Sequence, residues 1–197
     1  MRKFEDFVTI LKVVPAKSKK LVERSMKIVR THSVLSVLAL TLAFAGGFSI
    51  KAQNNFEVLN QAETAKVVPA SFYFAGQSAP TQMRNAAAAR IGKDRFIVAG
   101  MVDTSGYSSE IAAKYEGFFI TDSPISIGGE TLGAGAYGFG FSSDGKVNIL
   151  DLAGKPVLSA VTQNDNEMKR PRPLQMISEA RGIRFYKGKN YVLISPK

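Results

Sequence analysis

The stretch GAGAYGFGF, residues 133–141, decides the fold, because glycine and aromatic residues alternate along it. Successive side chains of a strand point to opposite faces of a sheet. One face would therefore carry three aromatic rings, those of Tyr137, Phe139 and Phe141. The other face would be nearly bare backbone at Gly138 and Gly140. Glycine inside a strand is typical of a close approach, either by a ligand or by another part of the chain.

Turn sequences flank this strand on both sides. Gly128-Gly129 precedes it and Ser143-Asp144-Gly145 follows it, which predicts a meander with residues 133–141 as a middle strand. Farther out, short runs of β-branched and aromatic residues recur at regular intervals, at 66–74, 95–102, 117–121, 146–152, 156–161, 174–177, 183–186 and 191–194. The pattern predicts an all-β fold, a single antiparallel β-barrel or β-sandwich of about eight to nine short strands.

Residues 82–91 allow two interpretations. The run Ala86 to Ala89 has high helix propensity. However, the turn Gly92-Lys93-Asp94 leads directly into the strand-like segment RFIVAGMV, residues 95–102. A hairpin explains this order without a helix, so we predict a strand and keep the helix as the alternative.

The N-terminal residues have the composition of an export signal. Lys27 and Arg30 precede an uncharged, mostly apolar run at 34–48, which is typical of a secretory signal peptide. We predict a signal peptide over 26–52, forming a signal helix, with cleavage after Ala52 or, alternatively, near Ala45. An uncleaved anchor helix is the other interpretation.

This interpretation divides the chain into four segments. Residues 1–25 are either a non-native extension ahead of Met26 or a long n-region, and 26–52 are the signal peptide. Residues 53–65 are polar and predict a flexible lead-in, with a short helix as an option. Residues 66–197 form the all-β domain.

The interpretation of the net charge changes when residues 1–52 are left out. The whole chain of 197 residues has a formal charge of +10. Residues 1–52 hold ten basic and three acidic side chains, which leaves 16 basic and 13 acidic residues, a net charge of +3. A nucleic-acid partner is therefore not expected.

Residues 53–197 contain neither cysteine nor histidine, since the single histidine is His32. Disulfides, a Ser-His-Asp triad, a Cys-His pair and a thiol nucleophile are thereby excluded. Ordinary zinc and copper sites are excluded as well. We expect no metal, no cofactor and no catalytic residue.

Two enzyme patterns remain to be considered. The carboxylates Asp103, Glu110, Glu116 and Asp151 could supply a pair for glycoside hydrolysis. Ser105 or Ser108 with Lys114 could form a nucleophile and base. No spacing singles out either arrangement, so a hydrolase is the last of our hypotheses.

Residues 133–138 also satisfy the pattern G-x-G-x-x-G, and Asp151 lies near the offset of a ribose-binding acid. A dinucleotide site needs a helix directly after these glycines. The following residues, FGFSSDG at 139–145, cannot begin a helix, so the pattern does not indicate a nucleotide.

The bare face of the glycine strand suggests a binding site. In a small barrel such a face can leave a cavity for an apolar ligand. The predicted ligand-binding residues combine this face with polar side chains from neighbouring segments: Asp103, Ser105, Tyr107, Tyr115, Tyr137, Gly138 and Gly140. The alternative is that rings from other strands cover the glycines and fill the core.

Two polar segments could instead form a protein-contact surface: DTSGYSSE at 103–110 and TQNDNEMKRPRP at 162–173. Seven basic residues near the C-terminus could contribute anion contacts: Lys169, Arg170, Arg172, Arg181, Arg184, Lys187 and Lys189. Because Asp165, Glu167 and Glu179 are interspersed among them, an ordinary solvated surface is the preferred interpretation.

Three motifs carry a resemblance: DTSGYSS at 103–109, GAYGFGF at 135–141 and KRPRPLQ at 169–175. Together they resemble a group of uncharacterised exported bacterial proteins over about residues 66–194. The segment 125–137 is also similar to a turn-strand motif of other secreted β proteins. The resemblance implies export and an all-β fold, and it implies no activity, cofactor or site.

The sequence therefore predicts an exported, periplasmic or extracellular β domain without catalytic function. Its leading role is a small-ligand-binding or envelope-associated module, with a small apolar ligand or an envelope protein as partner. A structural or protein-interaction module using the loops 103–110 and 162–173 is the alternative. Membrane contact is expected only through the signal peptide.

Overall fold

The computed structural model describes residues 56–197, so the predicted signal peptide and residues 1–25 lie outside the described part. The described residues form fourteen strands and two short helices. In chain order these are β1 Phe56–Val58, α1 Gln61–Val67, β2 Ser71–Phe74, β3 Gln77–Ile91, β4 Arg95–Val102, α2 Ser109–Ala112, β5 Gly117–Thr121, β6 Ile125–Ile127, β7 Glu130–Leu132, β8 Gly135–Ser142, β9 Lys146–Leu150, β10 Pro156–Val161, β11 Gln163–Asn164, β12 Arg172–Glu179, β13 Gly182–Gly188 and β14 Asn190–Pro196.

The strands form two antiparallel sheets. The large sheet has the order β1-β3-β4-β5-β8-β9-β10, with β2 paired to β3, and the small sheet has the order β12-β13-β14-β6-β7, with β11 paired to β14. The all-β prediction is confirmed. The barrel alternative is wrong, because within residues 56–197 each sheet keeps its own edge strands and no ladder closes them into one cylinder. The predicted strand number was also too low, since β1, β6, β7 and β11 are further strands of only two or three residues.

The inner core lies between the two sheets. It combines alternate residues from both, including Phe119 and Phe139 from the large sheet and Phe185 from the small one. Phe185 meets both of the other rings edge-on, with ring centroids 5.6 and 5.3 Å apart. Edge-to-face contacts of this kind add to the burial of apolar area. The two sheets are thus held face to face by aromatic packing.

The outer face of the large sheet is covered as well. The β2–β3 hairpin, α1 and the segment around α2 pack against it and enclose a second cluster that includes Phe72, Phe74, Tyr115 and Phe118. The large sheet is therefore buried on both faces, whereas the small sheet is covered on its inner face by the large one.

The strand prediction for residues 82–91 is confirmed, since they belong to β3. Ala87 and Ala89 face the inner core, and Ala86 and Ala88 face the outer cluster. Small side chains are needed because both faces of this strand are covered. Packing between the layers therefore overrides the helix propensity of the alanine run.

The segment 53–65, which we expected to be a flexible lead-in, contains ordered structure from residue 56 onward. Phe56–Val58 pairs with the last residues of β3, and α1 follows. The helix starts with a capping box, in which the Asn60 side chain accepts from the Glu63 backbone and the Glu63 side chain accepts from the Asn60 backbone, at 3.0 and 3.1 Å. Apolar residues at alternate positions of β1 supply the packing that the polar composition concealed.

Candidate functional site

The glycine face of β8 is in contact with the chain itself. A Cβ atom on Gly138 would overlap the ring of Phe74, and one on Gly140 would overlap the carbonyl oxygen of Lys114. The space that we expected for an apolar ligand is therefore occupied by Phe74 and by backbone. The alternation of faces along residues 133–141 is as predicted, because Phe139 belongs to the inner core.

Phe74 is the centre of this packing. Its ring is fully buried and stacks on Tyr115, with ring centroids 3.8 Å apart and planes 11° apart. Tyr107 meets Tyr115 edge-on at 5.3 Å. Phe74 comes from β2, Tyr107 from the loop at 103–110 and Tyr115 from the segment after α2. Three separate elements thus contribute rings to one cluster over the glycines.

The hydroxyl groups of the two tyrosines differ in their partners. Tyr107 donates to the carbonyl of Gln77 at 3.2 Å. The Tyr115 hydroxyl is buried and has no hydrogen-bond partner in the described part of the chain. Burial raises the pKa of both groups, and far more strongly for Tyr115, where the neighbouring Tyr107 adds to the effect. Tyr115 therefore stays neutral in the folded protein.

Asp103 and Ser105 have a local structural role. The Asp103 carboxylate accepts the Ser105 backbone N–H at 3.0 Å, which forms an Asx turn at the start of the loop. This hydrogen bond lowers the pKa of Asp103. Farther along the loop, Ser108 caps α2 by accepting the N–H of Ile111 at 3.4 Å. The loop is therefore a defined turn that ends in a helical turn.

Tyr137 lies on the other side of the large sheet. Its ring packs against the inner core, and its hydroxyl donates to the carbonyl of Gly133 at 3.1 Å. The structure thus brings Tyr107, Tyr115, Gly138 and Gly140 together at the outer cluster. Tyr137 is separated from them by the sheet itself.

The four carboxylates considered for hydrolysis take part in four separate local arrangements. Asp103 forms its Asx turn, and Asp151 accepts the N–H groups of Ala153 and Lys155, both at 2.9 Å. Glu110 forms an ion pair with Lys114 at 3.8 Å. Glu116 forms one with Lys187 from the small sheet. Of the four, only Glu116 contacts a residue that lines the groove described next, Lys187.

This groove is an open space of about 480 Å³. It lies where the C-terminal end of β8 meets the β13–β14 hairpin and the start of β12. Its walls combine apolar and polar side chains from both sheets: Met101, Phe141, Ser142, Ser143, Pro173, Lys187 and Asn190. The volume falls within the range of roughly 300–1,000 Å³ that is usual for small-molecule sites.

Lys187, which lines the groove and forms an ion pair with Glu116, marks what we call the polar end of the groove. The Lys187 ammonium donates to one carboxylate oxygen of Glu116, and the backbone N–H of Phe141 donates to the other at 2.9 Å. The two side chains are only 24% and 32% exposed. Because an ammonium has three donors, Lys187 can also donate to a bound molecule.

The two loops proposed as a contact surface pack on different sheets. The loop 103–110 lies against the outer cluster through Tyr107. The segment 162–173 lies against the outer face of the small sheet, where Tyr186 donates to Asp165 at 3.0 Å and Gln175 donates to Met168 at 3.1 Å. One partner would have to reach around both sheets to contact the two loops together.

Most of the groove residues were not among the ligand-binding residues predicted from the sequence. Met101 and Phe141 were predicted only as parts of strands, and Pro173 only as part of the segment 162–173 considered for protein contact. Glu116 was considered only as a hydrolytic carboxylate, and Lys187 only as part of a basic surface. The pairing of a carboxylate with a lysine 71 residues away has no local sequence pattern.

Comparison with protein-family models, with curated proteins and with solved structures gives no match for this chain. The resemblance to exported bacterial proteins therefore stays a prediction. Within residues 56–197, no helix is long and apolar enough to cross a bilayer. Over the same residues, no group of three or more His, Cys, Asp or Glu side chains is placed to hold a metal ion.

Proposed function

We propose that this domain is an exported binding module that holds a small amphipathic molecule in the groove between its two sheets. The observation that carries the proposal is the groove itself, with Met101, Phe141 and Pro173 along its walls and Lys187 at one end. Apolar walls with a few placed polar groups are the usual composition of a small-ligand site.

The polar end indicates which chemistry the ligand presents. Glu116 already accepts from Lys187 and from the Phe141 backbone, so its carboxylate is well satisfied. Lys187 keeps free donors, and it lines the groove. A ligand with an apolar body and a hydrogen-bond-accepting end, such as a carboxylate or an ester, fits this arrangement.

The proposed role is binding without turnover. Of the serine–lysine hypothesis, Ser108 caps α2 and Lys114 pairs with Glu110, and neither these two residues nor Ser105 line the groove. Of the four candidate carboxylates, only Glu116 contacts a residue of the groove, Lys187, and it is held in that ion pair. An envelope location follows from the predicted signal peptide and belongs to the same proposal.

Native mass spectrometry of the protein purified from an exporting host tests this function. We expect a reproducible added mass that survives gentle ionisation. Ser143→Trp should remove it, because an indole ring at this exposed position fills the groove. Ser178→Trp is the matched control, since Ser178 is exposed on β12 and does not line the groove.

A clean protein mass for the wild type would contradict the proposal. An added mass that persists in Ser143→Trp would contradict the groove as its place. Capture of a protein partner by a wild type with a clean mass would favour the interaction module, and substitutions in the loop 103–110 or the segment 162–173 would then identify the contact side.

A further inference from the structure

A second pocket lies on the other side of β12 from the groove. It has a volume of about 300 Å³ and is formed where α1, β3 and β12 meet. Its floor is apolar and buried, with Leu174 and Met176 from β12. Its charged side chains are Arg84 from β3 and Arg172 from β12, and none of the residues lining it is acidic.

Neither arginine has an ion-pair partner within residues 56–197. Other arginines of the same strands and sheets do: Arg90, also on β3, pairs with Glu57 at 3.4 Å, and Arg184 pairs with Glu179 at 2.7 Å. Two positive charges that share one pocket repel each other unless an anion joins them. The pocket lining therefore has a formal charge of about +2, which solvent partly screens because both arginines are exposed.

Both arginines lie at irregularities in their strands. The register of β3 against β4 shifts between Thr81 and Ala86, which brackets Arg84. The register of β12 against β13 shifts between Arg172 and Gln175. Bulges of this kind redirect side chains and recur beside binding sites. Two separate strands thus interrupt their regular ladders at the same pocket.

The wall around the arginines is held by hydrogen bonds. The Gln61 side chain of α1 donates to the carbonyl of Met83 at 2.9 Å, which ties the helix to the irregular part of β3. Gln175 donates to Met168 at 3.1 Å on the β12 side. The first contact holds the backbone next to Arg84, and the second holds the side chain of Gln175, which also lines the pocket.

We infer that this pocket binds a phosphomonoester group, with Arg84 and Arg172 on its oxygens and the apolar floor against the attached organic part. A guanidinium donates two parallel hydrogen bonds to phosphate oxygens. Two guanidinium groups match the charge of a phosphomonoester above its second pKa of about 6. A carboxylate carries one charge and leaves the second arginine uncompensated, so the phosphomonoester is favoured.

The test uses the full chain and phenyl phosphate at neutral pH, with binding followed by isothermal titration calorimetry. We expect binding of phenyl phosphate, at least about tenfold weaker binding of benzoate, and none of phenol. Arg84→Gln and Arg172→Gln should each weaken phenyl phosphate binding about tenfold or more. The affinity of Arg84→Lys for phenyl phosphate should lie between that of these two variants and that of the wild type, because lysine keeps the positive charge but lacks the planar guanidinium.

Arg170→Gln is the matched control, because Arg170 has the same charge, lies two residues from Arg172 and does not line the pocket. It should change binding less than about twofold. Circular dichroism of each variant checks that it folds. Unchanged affinity in both Arg84→Gln and Arg172→Gln would overturn the proposal, as would equal losses in Arg170→Gln.

A second arm distinguishes a soluble phosphate compound from a lipid headgroup. Vesicles of phosphatidic acid with phosphatidylcholine present a phosphomonoester, and phosphatidylcholine vesicles alone do not. Arginine-dependent binding to phosphatidic acid without binding of phenyl phosphate would identify a lipid source. Arginine-dependent binding of phenyl phosphate without vesicle binding would identify a soluble one. Binding of neither probe would refute the site.

Discussion

The two sides of one strand, β8, differ in what they contact. On the outer side, Gly138 and Gly140 have no side chains, and the space is filled by Phe74 and by the backbone at Lys114. On the inner side, at the end of the strand, the large ring of Phe141 borders an open groove. The glycines of this strand are thus closely packed against other parts of the chain. Open space occurs instead where the strands of the two sheets end.

Two consecutive residues, Tyr115 and Glu116, show the same contrast. Tyr115 is directed into the dry outer cluster with an unpartnered hydroxyl. Glu116 is held by Lys187, which lines the groove, and by a backbone N–H. The buried Tyr115 hydroxyl lowers the stability of the fold because it has no partner among the described residues, whereas the Glu116 carboxylate is hydrogen-bonded and partly exposed.

The largest expected effect concerns the ring that fills the glycine face. Phe74→Ala should lower the free energy of unfolding by about 3–5 kcal/mol, because it removes a fully buried ring and leaves a cavity. Tyr73→Ala is the control: its side chain is 59% exposed and should change the free energy by about 0.5 kcal/mol or less. Urea unfolding followed by far-UV circular dichroism measures both. Equal effects at the two positions would contradict the proposed packing.

The next effect concerns the glycines themselves. Gly138→Ala should cost about 1–3 kcal/mol, because the new methyl group overlaps the Phe74 ring. Gly133→Ala should be nearly neutral, since the closest atom to its Cβ is the Tyr137 hydroxyl oxygen at 3.8 Å. The cost of Gly138→Ala should shrink in a Phe74→Leu background, where the ring is gone. The same cost in both backgrounds would show that Phe74 is not the residue in contact.

A smaller effect of opposite sign is expected at Tyr115. Tyr115→Phe should leave the free energy of unfolding unchanged at neutral pH or raise it by about 1 kcal/mol, because it removes a buried hydroxyl without a partner. A loss of stability at neutral pH would reveal a hydrogen bond to this hydroxyl.

The same substitution should alter the alkaline pH dependence. The folded protein raises the pKa of Tyr115, whereas the unfolded chain ionises near pH 10. The contribution of Tyr115 is therefore fully present below pH 10 and is lost as the pH rises above it. Tyr115→Phe should lose less stability than the wild type in this range, as measured by urea unfolding at several pH values.

The smallest effect concerns the exposed ion pair on the small sheet. Arg184 lowers the pKa of Glu179 through two hydrogen bonds, so this carboxylate stabilises the fold at pH values above about 4.5 and less as the pH falls. Glu179→Gln should cost about 0.5 kcal/mol at neutral pH, and the difference should vanish in acid. Glu167→Gln is the control and should cost less at neutral pH, since Glu167 has no ion-pair partner within residues 56–197.

The sequence predicts the fold class because alternation is a local property. The faces of residues 133–141 and the strand character of 82–91 followed from periodicity and turn residues. The division of the strands between two sheets could not be predicted in this way, since it depends on which strands pair with each other. The interpretation of Gly138 also needed the structure, because Phe74 contacts it from 64 positions away in the chain.

The candidate sites were harder to predict for the same reason. Glu116 and Lys187 lie on different sheets, as do Arg84 and Arg172, and no spacing rule connects such pairs. The ordered segment from Phe56 to Val67 was underestimated because its polar composition hides a capping box and a short edge strand. Local signals therefore fixed the strands, and long-range packing fixed the pockets.

The central claim, that ligand space lies in the groove and not at the glycine face, is tested most directly by methyl NMR. The full chain carries ¹³C-labelled methionine methyl groups and is titrated with decanoate, an apolar chain with a carboxylate end. Met101 lines the groove, and Met83 packs against the outer cluster. A saturable shift of the Met101 methyl resonance, with Met83 unchanged, is the predicted result. A shift of Met83 with Met101 unchanged would contradict the account.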